Sequence, residues 1–314
     1  MSHDVTLSPG HWERDDMRRI LAGWKSIEWP TLWMLVACYV LWILGVFGVA
    51  AWSAWLAVPI VALATTLHSS LCHEIIHGHP FRSRRLNEAL VFPALALFIP
   101  FARFRDTHLA HHQDAILTDP YDDPESNYLD PARWNALPAW ARGVLWVNNA
   151  LAGRVLIGPA VGQVAFMAGD WAARQDPAVR RAWLMHLPAA ALVLGLVWLS
   201  PMSLGAYLIA AYAALSILKI RTFLEHQAHE KARARTVIVE DRGPLALLFL
   251  NNNLHVVHHM HPRVPWYRLP LVYRRNPARY LSVNDGYRYG SYAEVLRSHF
   301  FRPKDPVPHP LWRS

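Results

Sequence analysis

The chain has 314 residues, of which 53% are hydrophobic and only 17% charged, with 15 tryptophans and a formal charge of +8. Soluble domains carry about 25% charged residues, so this is the composition of a membrane protein. In such a chain excess Lys and Arg mark the cytoplasmic side of the bilayer, and the positive balance gives no reason to invoke nucleic acid.

Residues 1–28 are polar and of mixed charge, with Arg18, Arg19 and Lys25 ahead of the first apolar run. No apolar core follows a basic start, so they read as a cytoplasmic lead-in rather than a cleaved signal. From Trp29 to Leu67 there is no Asp, Glu, Lys or Arg for 39 residues. As one helix this run would be about 58 Å long, twice a bilayer core, so it predicts a hairpin of spans at about 30–50 and 53–72 that turns near Ala51–Ala54. Cys38 and Cys72 lie in apolar surroundings and read as free thiols, with no zinc-finger spacing around them.

His73-Glu74-Ile75-Ile76-His77 follows at the exit of the second span, flanked by His68 and His79, and Arg82, Arg84 and Arg85 come next. Ala89–Ala102 is apolar but short and broken by Pro93 and Pro100, which predicts a re-entrant or interfacial segment. It leads to His108-Leu109-Ala110-His111-His112. Residues 113–142 are acidic and proline-rich, by default a solvated loop. Its carboxylates, among them Asp114, Asp119, Asp122, Asp123 and Asp130, are alternatively ligands or acceptors for histidine N–H groups. Leu145–Ala168, interrupted by Asn148, Asn149 and Arg154, reads as an interfacial amphipathic helix.

Ala182–Leu218 again lacks charge for 37 residues around Ser200-Pro201-Met202-Ser203, a second hairpin with spans at about 182–200 and 203–222. Arg180, Arg181, Lys219 and Arg221 bracket its feet and neither hairpin tip carries a basic residue, so the feet and both termini are expected in the cytoplasm. His226 sits just past the fourth span, with His229 a weaker candidate one turn on. The remainder, 223–314, reads as a basic cytoplasmic cap holding His255-Val256-Val257-His258-His259 and, beyond it, His261. The whole is expected to be one all-α integral membrane domain: four transmembrane helices in two hairpins, interfacial helices and a histidine-rich cap.

On a helix, positions i, i+3 and i+4 share a face, so each histidine cluster aims two or three imidazoles at one point. A zinc site is full with four ligands, and the three clusters alone supply eight imidazoles, which implies two metal ions. Two rival readings compete. HEIIH fits the HExxH zinc-protease pattern, with Glu74 as general base, but leaves the other two clusters unused. A metal transporter or sensor calls for ionisable groups at mid-membrane, where the spans offer only His186.

An HxxxH box after the second span, HxxHH about thirty residues later, an EH pair after the fourth span and a late HxxHH followed by Pro262 resemble the membrane-bound fatty acid desaturase superfamily, which is related to alkane hydroxylases and carotenoid ketolases and hydroxylases. The resemblance covers about residues 30–275. It implies a non-haem di-iron centre held by His73, His77, His108, His111, His112, His226, His255, His258 and His259. It also implies O2 as co-substrate, a lipid or acyl substrate taken from the membrane, and a separate electron donor of the ferredoxin, rubredoxin or cytochrome b5 type. The expected activity is desaturation of a fatty acyl or similar chain, with hydroxylation or ketolation as the alternative. Thr222 stands where acyl-CoA desaturases have an asparagine that helps hold one iron, so the site is closer to the all-histidine type. Arg263, Arg268, Arg274, Arg275 and Arg279 on the cap are candidates for the donor's docking face or for lipid head groups. Trp33, Trp42, Phe47, Trp52 and Trp55 either line a substrate tunnel or, more ordinarily, face lipid and neighbouring helices.

Overall fold

The computed structural model describes residues 27–312, so the lead-in expected over residues 1–28 lies almost wholly outside the described residues. Helix α1 (Trp29–Ile43) starts with Pro30 in its first turn, where a proline's missing N–H leaves no bond unmade. It continues through a π turn (Leu44–Gly48) and a 3-10 turn (Val49–Ala51). Ser53 turns the chain and caps α2 (Ala54–Ile76), its hydroxyl accepting from the Leu56 N–H. The second span therefore runs past the boundary expected near residue 72, and His73 lies on its last turn. Gly78, at a φ of +98° that disfavours any side chain, then swings the chain out of the helix directly after His77.

Helix α3 (Arg84–Leu90) leads into residues 91–100 of the expected re-entrant or interfacial segment, which form turns. Irregular backbone at membrane depth survives only where neighbours satisfy its polar groups. Here Tyr207 Oη donates to the Leu95 carbonyl at 2.7 Å, the His186 ring nitrogen lies 2.7 Å from the Leu97 carbonyl, and Gln163 donates to the Phe98 carbonyl. His186, the one ionisable group at mid-span, is thereby given a structural partner. The segment delivers α4 (Phe101–His111), which Arg103 ties to Asp170 by a bidentate pair at 2.9–3.1 Å.

The single interfacial helix expected over Leu145–Ala168 is instead broken into pieces. After α5 (Pro131–Ala136) come α6 (Ala139–Asn148), α7 (Leu151–Leu156) and α8 (Gly158–Ala172), with bends at Asn149–Ala150 and at Ile157. Arg154 turns inward at the first bend, donating to the Asn148 carbonyl and to Asn127 Oδ1. Outward, Trp140, Trp146, Leu156, Val164 and Trp171 are exposed, as expected for elements lying along a bilayer surface.

The second hairpin is α9 (Pro177–Trp198) and α10 (Leu204–Thr222). The four spans Trp29–Ala51, Ala54–Ile76, Pro177–Trp198 and Leu204–Thr222 are long and apolar enough to cross a membrane, and the protein is an all-α membrane protein. Ala57, Val61 and Ala64 on α2 share a buried cluster with Ala210 on α10, where small side chains let the two helices approach closely. Thr66 Oγ1 sits at that seam, 2.8 Å from the Ala62 carbonyl and 3.3 Å from the Ala214 carbonyl. Of the aromatic residues considered for a tunnel, Trp42 is buried against Tyr207, whereas Trp33, Phe47, Trp52 and Trp55 face outward. Trp52 and Trp198, 92% and 82% exposed, stand at the two hairpin tips like an interfacial aromatic belt.

The cap follows with β1 (Ile238–Val239), α11 (Pro244–Leu248), α12 (His255–Met260), α13 (Leu269–Arg275), α14 (Pro277–Val283), β2 (Arg288–Tyr289) and α15 (Tyr292–His299). The two short strands pair in parallel, Ile238 with Arg288 and Val239 with Tyr289. One buried cluster, around Val256, Val257, Val272 and Tyr280, holds the cap together internally, and a second, around Phe223, Leu224, Phe249 and Tyr292, fixes it to the foot of α10.

A Cβ at Gly153 would lie 1.8 Å from the Val147 carbonyl oxygen, so α6 and α7 pack here only through a bare backbone. Gly153→Ala is expected to destabilise the fold by about 1–3 kcal/mol, the usual overpacking cost. Thermal unfolding in detergent checks this, and an unchanged midpoint would contradict the packing described.

Candidate metal centre

All nine predicted histidines come together at the end of the bundle where the cap sits, in two adjoining pockets. His73, His77, His108, His112 and His258 form one, and His111, His226, His255 and His259 the other. Helical spacing does the sorting. His108 and His112 lie one turn apart on α4 and its C-cap and serve the first pocket, while His111, rotated away, serves the second. On α12 His258 goes to the first pocket, and His255 and His259, one turn apart, go to the second. The pockets touch where the His112 and His259 rings stack at 4.3 Å.

Partners on the outer ring nitrogens set the tautomers. His108 Nδ1 lies 3.0 Å from Glu125 Oε1, His111 Nδ1 2.8 Å from Asp123 Oδ1, and His255 Nδ1 3.1 Å from Asn252 Oδ1. Each acceptor faces Nδ1 and turns the Nε2 edge of its ring inward. There the nitrogens crowd: His108 Nε2 is 3.1 Å from His77 Nε2 and 2.9 Å from His112 Nε2, and His112 Nε2 is 3.2 Å from His258 Nε2. In the second pocket His226 Nε2 is 2.8 Å from His111 Nε2 and 3.1 Å from His255 Nε2. Imidazoles bound to one metal at about 2.0–2.1 Å have nitrogens about 3.0–3.4 Å apart, so the spacing suits a metal in each pocket. The buried His73 Nε2 has no hydrogen-bond partner among the described residues, which fits the same reading. Burial also holds His77, His112, His226, His255 and His258 well below the usual imidazole range, keeping them neutral and able to ligate.

Asp123 and Glu125 correct the expectation of a solvated acidic loop. Asp123 is buried, with Oδ2 accepting from the Thr118 N–H and Oδ1 from the Glu125 N–H, so the loop folds around the carboxylate that holds His111. Asp119, by contrast, accepts from the Tyr121 and Asp122 N–H groups in an exposed turn. Glu125 was missed in the sequence; its one signal is its place in the acidic run that follows HxxHH. Asn252 Nδ2 in turn donates to Glu225 Oε1, which Arg221 also holds at 2.8 Å.

The remaining histidines lie elsewhere. His229 is 3.3 Å from Asp285, His261 3.1 Å from Tyr280 Oη, and His68 3.2 Å from Tyr39 Oη. His79 lies between two carboxylates, Nδ1 at 2.9 Å from Glu28 and Nε2 at 3.7 Å from Glu74. Glu74 is thus outside both pockets and accepts from the Trp266 N–H at 3.0 Å, a position that does not suit the base of an HExxH protease.

The family model for fatty acid desaturases matches residues 50–291. This chain belongs to the fatty acid desaturase family. Two proteins similar to this family member are a β-carotene ketolase of Paracoccus sp. (strain N81106 / MBIC 01143), 26% identical over 266 residues, and a β-carotene ketolase of Paracoccus sp. (strain PC1), 27% identical over 265 residues. Each match covers 80% of this chain and 88% of the ketolase.

A metal bound at His111 is expected to show a definite pH dependence. Burial pushes His111 down, but Glu125 and Asp123 outweigh it and hold the imidazole up at about 9. Below that value a metal must displace the His111 proton, so affinity of the four-histidine pocket is expected to rise about tenfold per pH unit toward about 9, with one proton released. Calorimetry in buffers of different ionisation enthalpy reads the release, and pH-independent uptake would contradict it. Asp123→Ala is expected to weaken metal binding in the same pocket about 10–100-fold; metal titration of the purified variant checks the loss.

Proposed function

We propose that this family member is a membrane oxidoreductase whose nine clustered histidines hold two iron ions, and that it uses O2 and two electrons to desaturate a fatty acyl or similar lipid chain. The observation that carries the reading is the pair of adjoining pockets made of imidazole alone, five in one and four in the other. Neutral nitrogen ligands suit iron. When bound, the metal pair supplies the oxygen-reducing chemistry needed to attack an unactivated C–H bond.

The chain's own residues then do the rest. Glu125, Asp123 and Asn252 orient His108, His111 and His255 and keep their Nε2 lone pairs turned to the metals. The cap covers much of both pockets: His108, His111, His255 and His258 are each at most 2% exposed, and His77, His112, His226 and His259 are half-buried. The substrate is an apolar chain dissolved in lipid. The charged feet of all four spans and the uncharged hairpin tips support an active site on the cytoplasmic side. Arg263, Arg274 and Arg275, exposed on the cap, and the half-buried Arg268 and Arg279 are basic groups suited to an acidic electron donor of the ferredoxin, rubredoxin or cytochrome b5 type.

A second reading, oxygenation by a hydroxylase or ketolase acting on an alkyl chain or carotenoid, is favoured by the names of the two Paracoccus relatives. One experiment separates them: mass spectrometry of lipids and pigments from cells with and without the protein, under isotopically labelled O2. Loss of two hydrogens is expected for desaturation. Gain of a labelled oxygen establishes the second reading, and no oxygen-dependent product overturns both. Replacing His258 by Ala is expected to abolish either product and to lower iron occupancy; full iron retention would contradict its assignment as a ligand.

A further inference from the structure

His226 is set apart from the other eight pocket histidines by its backbone. It is not on a helix or at a helix C-cap but in an extended stretch that pairs with Thr236. Its buried Nδ1 also has no hydrogen-bond partner among the described residues, whereas the outer nitrogens of His111 and His255 are held by Asp123 and Asn252. The ring of His226 is therefore placed through its main chain. The carbonyl of His226 accepts from the Nζ of Lys304, in the tail that follows α15 and lies beyond the family match, which ends at residue 291.

That tail is threaded through the parts of the second pocket that no long helix supports. Its Asp305 carboxylate accepts from Tyr128 Oη, which itself accepts from the Ala228 N–H, two residues past His226. Asn149 donates to the Asp305 carbonyl at 2.5 Å. Leu129 donates to the Val307 carbonyl at 3.0 Å, and the His309 N–H returns to the Leu129 carbonyl at 2.8 Å. The His309 ring lies 3.3 Å from Thr118 Oγ1, and the Thr118 N–H holds Asp123, the carboxylate on His111. Lys304 itself is fixed by Asp305 at 3.2 Å and lies over the Tyr287 ring.

We propose that residues 303–309 are a strap that shapes the four-histidine pocket, with Lys304 the residue that positions His226 for its metal. The proposal rests on the reading of the nine histidines as ligands. Loss of the charged donor leaves the His226 carbonyl unheld, and loss of a group that orients a ligand weakens metal binding by about 10–100-fold. The effect falls on one pocket, because the strap reaches His226 directly and Asp123 through Thr118 and, among the described residues, makes no hydrogen bond or ion pair to a ligand of the five-histidine pocket.

The test titrates Fe(II), without air, into metal-free wild-type protein and the variants Lys304→Met and Lys304→Arg. Wild type taking up two irons tightly while Lys304→Met binds one as tightly and the other about 10–100-fold more weakly is the expected result, with Lys304→Arg restoring the second because a donor is again present. Two equally tight irons in Lys304→Met overturn the strap and leave the ligand assignment standing; no iron in wild type overturns the assignment itself. A measurement on wild type alone guards against a variant that fails to fold. Coupling is reciprocal, so iron loading is expected to slow hydrogen exchange at the Leu129 and His309 amides. Unchanged exchange at both, with iron bound, contradicts the proposal.

Discussion

The convergence of nine imidazoles, five of them buried and four half-buried, is the constraint on which everything else in this molecule depends. Facing Nε2 lone pairs repel one another, and a buried nitrogen without a partner is costly, so the arrangement is stable only with cations between the rings or with a proton shared among them. Glu125 and Asp123 hold His111 above the usual imidazole range against the opposing effect of burial, on a ring that also faces His226. Metal and proton therefore compete for one position, and the carboxylates that make the pocket a good ligand set also set the pH at which it fills.

The scaffold answers that constraint in two ways. The spans supply rigidity: α2 and α10 pack through alanines, and His73 and His77 leave from the end of α2 just before the turn at Gly78. The elements outside the spans supply orientation, through Glu125, Asp123 and Asn252 on the rings and through Lys304 on the main chain of His226. Between them lies the irregular stretch 91–100, which is tolerated because Tyr207, His186 and Gln163 satisfy its carbonyls. That stretch carries α4, and with it three of the nine histidines, back against the foot of α2.

Much of this was legible in the sequence because it is written in local periodicity. Charge-free runs of 39 and 37 residues can only be hairpins at bilayer thickness, and histidines at i, i+3 and i+4 must share a helix face. Spacing also separates His111 from His108 and His112, although the division into pockets of five and four emerged only in three dimensions. What spacing cannot carry is contact between residues remote in the chain. Asp123 and Glu125 look like any solvated acidic run until the loop folds under α4, and Lys304 sits 78 positions from the carbonyl it holds. Arg154 misleads in the opposite sense: a basic residue in an apolar run suggests a helix face turned to water, yet the chain bends there and buries it between Asn127 and Asn148.

X-ray absorption and metal analysis on the purified, full-length protein test the central claim most directly. The account predicts two irons per chain, bound by imidazole nitrogens at about 2.0–2.2 Å. A single zinc per chain, or iron bound chiefly by carboxylate oxygen, would contradict it.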